Sequence, residues 1–199
     1  MEIIRLGDAL MAGEKPVEFN YVPGAFLCGG AVRRWFAGKE KLSDLDFFFE
    51  KADALAQFKS LNAEKLGAPS RNDDAIEVYS VGKMPVQLIK KIGYMPLAGF
   101  FDKFDYTLCQ FAYDGQTVYS TPEAVTSVLR RHLAVHRIQA GCELDSLRRA
   151  FKYAQKGYLP CIGTLQDIAK ALSEVKLASI EQQVQISPNG GHRTGIRWD

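Results

Sequence analysis

The chain has 199 residues, 47% of them hydrophobic and 24% charged, which excludes disorder as a whole and leaves enough apolar surface to offset the entropy of folding. No run approaches the roughly 20 apolar residues of a membrane span, and the N-terminal MEIIRLGDALMAGEKP lacks the basic start and apolar stretch of an export signal, so a cytoplasmic protein without membrane contact is expected. A net charge of +2 does not announce a nucleic-acid binder, although it divides into −2 over residues 1–115 and +4 over residues 116–199. Cys28, Cys109, Cys142 and Cys161 form no CxxC pair and have no His at metal-ligand spacing, so they read as reduced thiols.

In chain order, the apolar run Ala25 to Cys28 predicts a strand that ends in Gly29-Gly30, and AVRRWF predicts a helix stopped near Gly38. Leu42 to Phe49 (LSDLDFFF) reads as an aromatic-rich strand between the polar GKEK and EKAD. A helix is expected over Ala52 to Leu61, then a polar loop, GAPSRNDD. Three more strand candidates follow at Ala75 to Val81, Val86 to Ile89 and Phe104 to Phe111, and Asp114-Gly115 predicts a hairpin returning through Thr117 to Tyr119. From Thr121 the period becomes helical. Thr121 is a candidate N-cap with Pro122 behind it, and Val125, Val128, Leu129 and Leu133 form a stripe. A second helix carries Leu144, Leu147, Phe151 and Ala154 and stops at Gly157. A third starts at Thr164 with Leu165, Ile168, Leu172 and Val175 on one face. The final SPNGGHRTGIRWD has no periodicity. The pattern predicts an α/β (α+β) head over residues 1–120, a small helical domain over 121–186 and a mobile tail over 187–199.

Asp44 and Asp46 are two apart on the predicted strand, so both carboxylates share one face, roughly 7 Å apart at Cα. Beside Phe47, Phe48 and Phe49 they are partly desolvated, and each raises the other's pKa unless a cation sits between them. A hard divalent ion such as magnesium removes that penalty. The alternative is a solvated pair at an exposed strand start, or one bridged to Arg33 or Lys41. Gly29-Gly30 falls where strand becomes helix, which offers backbone N–H groups to an anion. The 15 residues from Gly29 to Asp44 suffice for a short helix and a returning strand that brings the pair beside the turn.

The run FLCGGAVRRWFAGKEKLSDLDFFFE resembles the glycine motif and DxD strand of the polymerase-beta-like nucleotidyltransferases, most closely the head of tRNA CCA-adding enzymes and bacterial poly(A) polymerases, which read GGxVRD followed by a D-x-D strand. The resemblance implies a mixed-sheet head in which Gly29, Gly30 and Arg33 bind a nucleoside triphosphate. Asp44 and Asp46 would bind two magnesium ions, and a third carboxylate on a later strand would complete the metal site and the catalytic set. Arg34 stands where the family usually has an aspartate. The segment RRAFKYAQKGY is similar to the RAxRFA stretch that opens the neck helices of CCA-adding enzymes, with Ser146 where the family carries a further arginine. No EDxxR base-selecting motif is present, so no nucleotide choice is implied.

Asp105 is the first candidate for the third carboxylate, as an isolated acid in a predicted apolar strand where an unpaired charge is costly. Glu77 in AIEVYSV is the rival, Asp102 and Asp114 read as solvated loop acids, and Gln87 in VQLI lies near the site without a charge to give. Arg148, Arg149 and Lys152, with Arg130 and Arg131 upstream, are candidate RNA contacts. Two alternatives exist for His132 and His136, metal binding without a third ligand or a solvated role, and the second is favoured. Trp35, Phe36, Phe100 and Phe101 offer base stacking or core packing. The expected activity is magnesium-dependent transfer of a nucleoside monophosphate from an NTP to a hydroxyl, first an RNA 3′ end. The alternatives are a protein or small-molecule acceptor, or a non-catalytic nucleotide- or RNA-binding module of the same fold.

Overall fold

The computed structural model describes residues 1–16, 18–38, 44–90 and 93–175. The first strand, β1 (Ile4–Leu6), precedes β2 (Ala25–Cys28), helix α1 (Gly30–Ala37) and β3 (Leu45–Phe49). Helices α2 (Ala52–Leu61) and α3 (Ala63–Leu66) lead to β4 (Arg71–Asn72), β5 (Ile76–Val81) and β6 (Met84–Ile89). After α4 (Leu97–Lys103) come β7 (Phe111–Tyr113) and β8 (Val118–Ser120), then α5 (Pro122–Leu129), β9 (His132–Leu133), α6 (Glu143–Gln155), β10 (Leu159–Pro160) and α7 (Ile162–Ser173). Eight strands form one mixed sheet in the order β1-β8-β7-β2-β3-β6-β5-β4, in which β3 and β6 run parallel and the other pairs antiparallel.

The pleat sends alternate residues of each strand to opposite faces. Leu27, Phe47, Phe49 and Leu88 belong to one face, where Phe58 of α2 meets Phe47 at 4.7 Å and Phe49 at 5.5 Å between ring centroids. Phe26, Cys28 and Phe48 belong to the other, capped by Phe100 and Phe101 of α4. Trp35, Phe36, Phe100 and Phe101 are all buried, so they are core side chains and not a stacking platform.

Several predicted elements are found as expected: the β2–α1 turn, α2, β5, β6 and the β7–β8 hairpin, where Asp114 Oδ1 accepts the backbone N–H groups of Gln116 and Thr117. Thr121 caps α5, its hydroxyl accepting the Ala124 N–H at 3.1 Å behind Pro122. The predicted start of the DxD strand at Leu42 and Ser43, the segment after residue 175 and the tail over 187–199 lie outside the described residues.

The run Phe104 to Phe111 departs from expectation. It is a loop and a 3₁₀ turn over Thr107–Cys109, and only Phe111 enters a strand. Tyr106, Leu108 and Phe111 are fully buried and Asp105 and Cys109 nearly so, so the run is enclosed on all sides and has no periodicity to separate strand from turn. The helices downstream also sit differently. α6 buries Ser146, Ala150 and Tyr153, leaving Phe151 48% exposed, because the Tyr153 ring packs against Tyr106 at 5.6 Å and under the Arg33 guanidinium. α7 begins at Ile162 and buries Thr164 and Ile168 while Leu165 is exposed. His132 and His136 lie on β9 and the loop after it, not on a helix, since α5 ends at Leu129. Ala150, Tyr153, Tyr158 and Ile168 join the same hydrophobic core as β2 and β3. Among the described residues no helix is long and apolar enough to cross a membrane.

Candidate functional site

Cys28 at the end of β2 pairs with Asp46 of β3, so the chain leaves β2 beside Asp44 and enters α1 there. Gly29 makes the corner with φ 74° and ψ −130°, a region for glycine alone, and its N–H donates to the Phe111 carbonyl at 2.7 Å. The first N–H groups of α1, left without helical partners, open next to the two aspartates. The sequence spacing and the fold therefore bring Gly29, Gly30, Asp44 and Asp46 into one place.

Asp46 is partly buried, and its carboxyl is pushed up to about 7. Burial is the main cause and the Asp44 charge adds to it, while Arg34 and Lys152 pull the other way. Arg34, singled out in the sequence only as a departure from a motif, belongs to this site. Its guanidinium lies 3.9 Å from Asp44 Oδ1 and donates to the Asp44 carbonyl at 3.4 Å. Helical side chains lean toward the N-terminus, so a residue one turn into α1 reaches back over Gly30.

Neither candidate third carboxylate lies beside Asp46. Glu77 pairs with Leu88, which pairs with Phe47, so Glu77 sits on the α2 face of the sheet, opposite Asp46. It is ion-paired to Lys59 at 2.7 Å and accepts the Tyr79 hydroxyl at 2.6 Å; these contacts outweigh the upward push of burial and lower its pKa. Asp105 is only 4% exposed and faces α6, where Arg149 Nε lies 3.1 Å from its Oδ2. Burial raises its pKa against the pull of Arg149. Asp44, Asp46 and Asp105 do not gather into a metal cluster, and no group of three metal-ligating side chains occurs among the described residues. The neighbour of Asp46 across the parallel β3–β6 pair is Gln87, a neutral amide.

The basic residues also sort by contact. Arg33 is 1% exposed, its guanidinium over the rings of Tyr153 and Tyr158 at 5.1 and 5.4 Å, so it ties α1 to α6 instead of facing the glycine turn as expected. Arg149 is engaged with Asp105 and Lys152 acts on Asp46, while Arg148 is exposed and paired with Asp145 at 3.0 Å. Asp102 pairs with Arg137 at 2.7 Å and with His136 at 3.4 Å.

A family model described as Gabija anti-defense 2 family protein matches residues 10–131, more than half of the chain. The chain belongs to the Gabija anti-defense 2 family. Comparison with curated proteins finds no match. Among solved structures, this Gabija anti-defense 2 protein is similar to a tRNA-processing enzyme in an apo form, at 17% identity and a TM-score of 0.59 over 82% of this chain and 47% of that one. It is also similar to the Thermotoga maritima CCA-adding enzyme complexed with tRNA, at 14% identity and 0.58 over 81% and 42%. A third is a tRNA nucleotidyltransferase complexed with a primer tRNA and an incoming ATP analogue, at 17% and 0.58 over 82% and 52%. The fold is thus nucleotidyltransferase-like, and the chain spans about half the length of the structures it matches.

Proposed function

We propose that this Gabija anti-defense 2 protein is a nucleotidyltransferase that moves a nucleoside monophosphate from an NTP to a hydroxyl and releases pyrophosphate. The observation that carries the reading is the meeting of the Gly29-Gly30 corner and the α1 N-terminus with the like-charged pair Asp44 and Asp46. Two close carboxylates, one with a raised pKa, suit a magnesium ion that takes its remaining ligands from water and substrate phosphates. Asp44 and Asp46 would hold one such ion; among the described residues the donors for a second, three-carboxylate arrangement are not gathered there. When bound, the metal supplies charge neutralisation at the phosphates and a lowered pKa for the attacking hydroxyl. The backbone N–H groups of the glycine corner orient the triphosphate, and the fixed Asp44 and Arg34 charges are in place before reaction.

The first acceptor to consider is an RNA 3′ end. The surplus of positive charge over residues 116–199 and the tRNA named with similar structures support it, and a protein or small-molecule hydroxyl is the alternative. Gln87 beside Asp46 favours a second reading, a nucleotide- or RNA-binding module without transfer. The family description names an anti-defence role, which either reading serves.

Pyrophosphate release measured with magnesium across the four NTPs, with and without pooled RNA, tests these readings. Release that needs RNA supports the first acceptor; NTP binding without release supports the module. Gly30→Ala adds a methyl group whose nearest side-chain neighbour is the Arg34 guanidinium, at 3.8 Å, an ordinary contact. Its melting temperature is expected to stay near wild type while calorimetry shows triphosphate affinity about tenfold weaker. Gly29→Ala, at positive φ, is expected to lose about 1–3 kcal/mol of stability instead. Unchanged affinity in Gly30→Ala would make the glycine pair an ordinary turn. For RNA, Arg130→Gln with Arg148→Gln removes two exposed charges, Arg148 being paired only with the exposed Asp145 one turn before it among the ion pairs described, and is expected to flatten the salt dependence of binding, because fewer counterions are released. A salt-insensitive RNA complex counts against an RNA acceptor and leaves transfer to other hydroxyls standing.

A further inference from the structure

We infer that Arg34 is a built-in counter-cation of the nucleotide site, shared between Asp44 and the phosphates of the incoming triphosphate, and that it takes the charge role of a second metal ion. The inference rests on the nucleotide-binding reading above.

The Arg34 side chain is 4% exposed yet lies on Asp44, which is 35% exposed at the rim of the site. Arg34 Cζ and both Nη atoms lie 3.8 Å from the point where a Gly30 Cβ would stand, so the cation overlies the first residue of α1. The N-terminus of a helix is itself a positive pole, and a cation there is unfavourable unless anions meet both. Asp44 supplies one negative charge, and a polyphosphate bound to the α1 N–H groups would add more. A planar guanidinium matches phosphate oxygens with two parallel hydrogen bonds, which a lysine does not.

The surroundings of Asp46 agree with this, since its neighbour across the parallel strand pair is the neutral Gln87. Two carboxylates flanked by two side-chain cations have the donors for one divalent ion, and no three-donor cluster occurs among the described residues. The positive charge that a triphosphate needs beyond one metal ion comes from Arg34, with Lys152 on the α6 side.

The test uses the full chain in two titrations: free Mn²⁺ alone, followed by electron paramagnetic resonance, and inorganic tripolyphosphate in EDTA, followed by calorimetry. Arg34→Gln is expected to bind Mn²⁺ about fivefold tighter, because a cation competing for Asp44 is gone, and tripolyphosphate about tenfold more weakly. Arg34→Lys keeps the charge and restores most of the Mn²⁺ behaviour, but only part of the tripolyphosphate affinity. Asp44→Asn is expected to bind tripolyphosphate in EDTA about fivefold tighter, a gain that misfolding does not produce. Unchanged Mn²⁺ and tripolyphosphate affinities in Arg34→Gln, or a loss of tripolyphosphate binding in Asp44→Asn, overturns the inference while magnesium-ATP binding by the wild type keeps the nucleotide reading. A wild type that binds no triphosphate with or without metal overturns both.

Discussion

Asp46→Asn is expected to abolish magnesium-dependent nucleotidyl transfer and at the same time to make the metal-free protein more stable above pH 7. The Asp46 carboxyl is pushed from its ordinary value near 3.8 up to about 7, by burial first and by the Asp44 charge second. Between those values the folded chain keeps a proton that the unfolded chain has released, so wild-type stability falls as pH rises through the window and levels off above it. Asparagine has no proton to lose and keeps the neutral form at every pH. Urea titrations in EDTA should therefore show no gain at pH 4 and a gain of roughly 2 kcal/mol at pH 8, a value reduced from the full shift because Asp46 is not wholly enclosed. A site held destabilised for function behaves this way. A flat difference across pH would mean that the Asp46 carboxylate is solvated, and retained turnover with magnesium would remove it from the metal role.

Arg149→Ala is expected to cost about 2 kcal/mol of stability at neutral pH, because it leaves Asp105, 4% exposed, without the guanidinium 3.1 Å away. The Arg149 side chain is 41% exposed, so solvent screens part of the pair and the loss falls below that of a fully buried bridge. Burial already raises the Asp105 pKa and Arg149 opposes it. Removing the arginine raises it further, so the cost should be largest above neutral pH and shrink as pH falls and Asp105 takes up a proton in both proteins. Adding Asp105→Asn to Arg149→Ala should recover part of the loss, since no buried charge then lacks a partner. Chemical denaturation of the four proteins at pH 5 and pH 8 gives the comparison. An unchanged Arg149→Ala stability would show that Asp105 is satisfied by other groups.

Arg149 and Lys152 read in the sequence as surface contacts separable from the head, yet the fold sets one on Asp105 and brings the other's charge to bear on Asp46. Substitutions there disturb the core or the candidate site as well as any RNA surface, which is why Arg130 and Arg148 are the cleaner pair.

The features legible in the sequence depend on neighbours close along the chain. The Gly29-Gly30 corner, the Asp114-Gly115 hairpin and the Thr121 cap with Pro122 are each decided within a few residues, and the structure forms all three, whereas β3 begins at Leu45 and Asp44 lies just before the strand on which it was expected. What the tertiary structure alone decided depends on partners far away in sequence. Whether Arg33 or Arg34 reaches the aspartates depends on where Tyr153 and Tyr158, more than a hundred residues on, enclose one of them. The α6 face turned inward is set by Tyr106 and Arg33, not by its own apolar period. The residue beside Asp46 is Gln87, not Glu77 or Asp105, because the register of β3 on β6 is fixed by the route through α2, β4 and β5, and a shift of one residue reverses every face. Local pattern sets which groups can do chemistry; long-range register and burial set which of them meet.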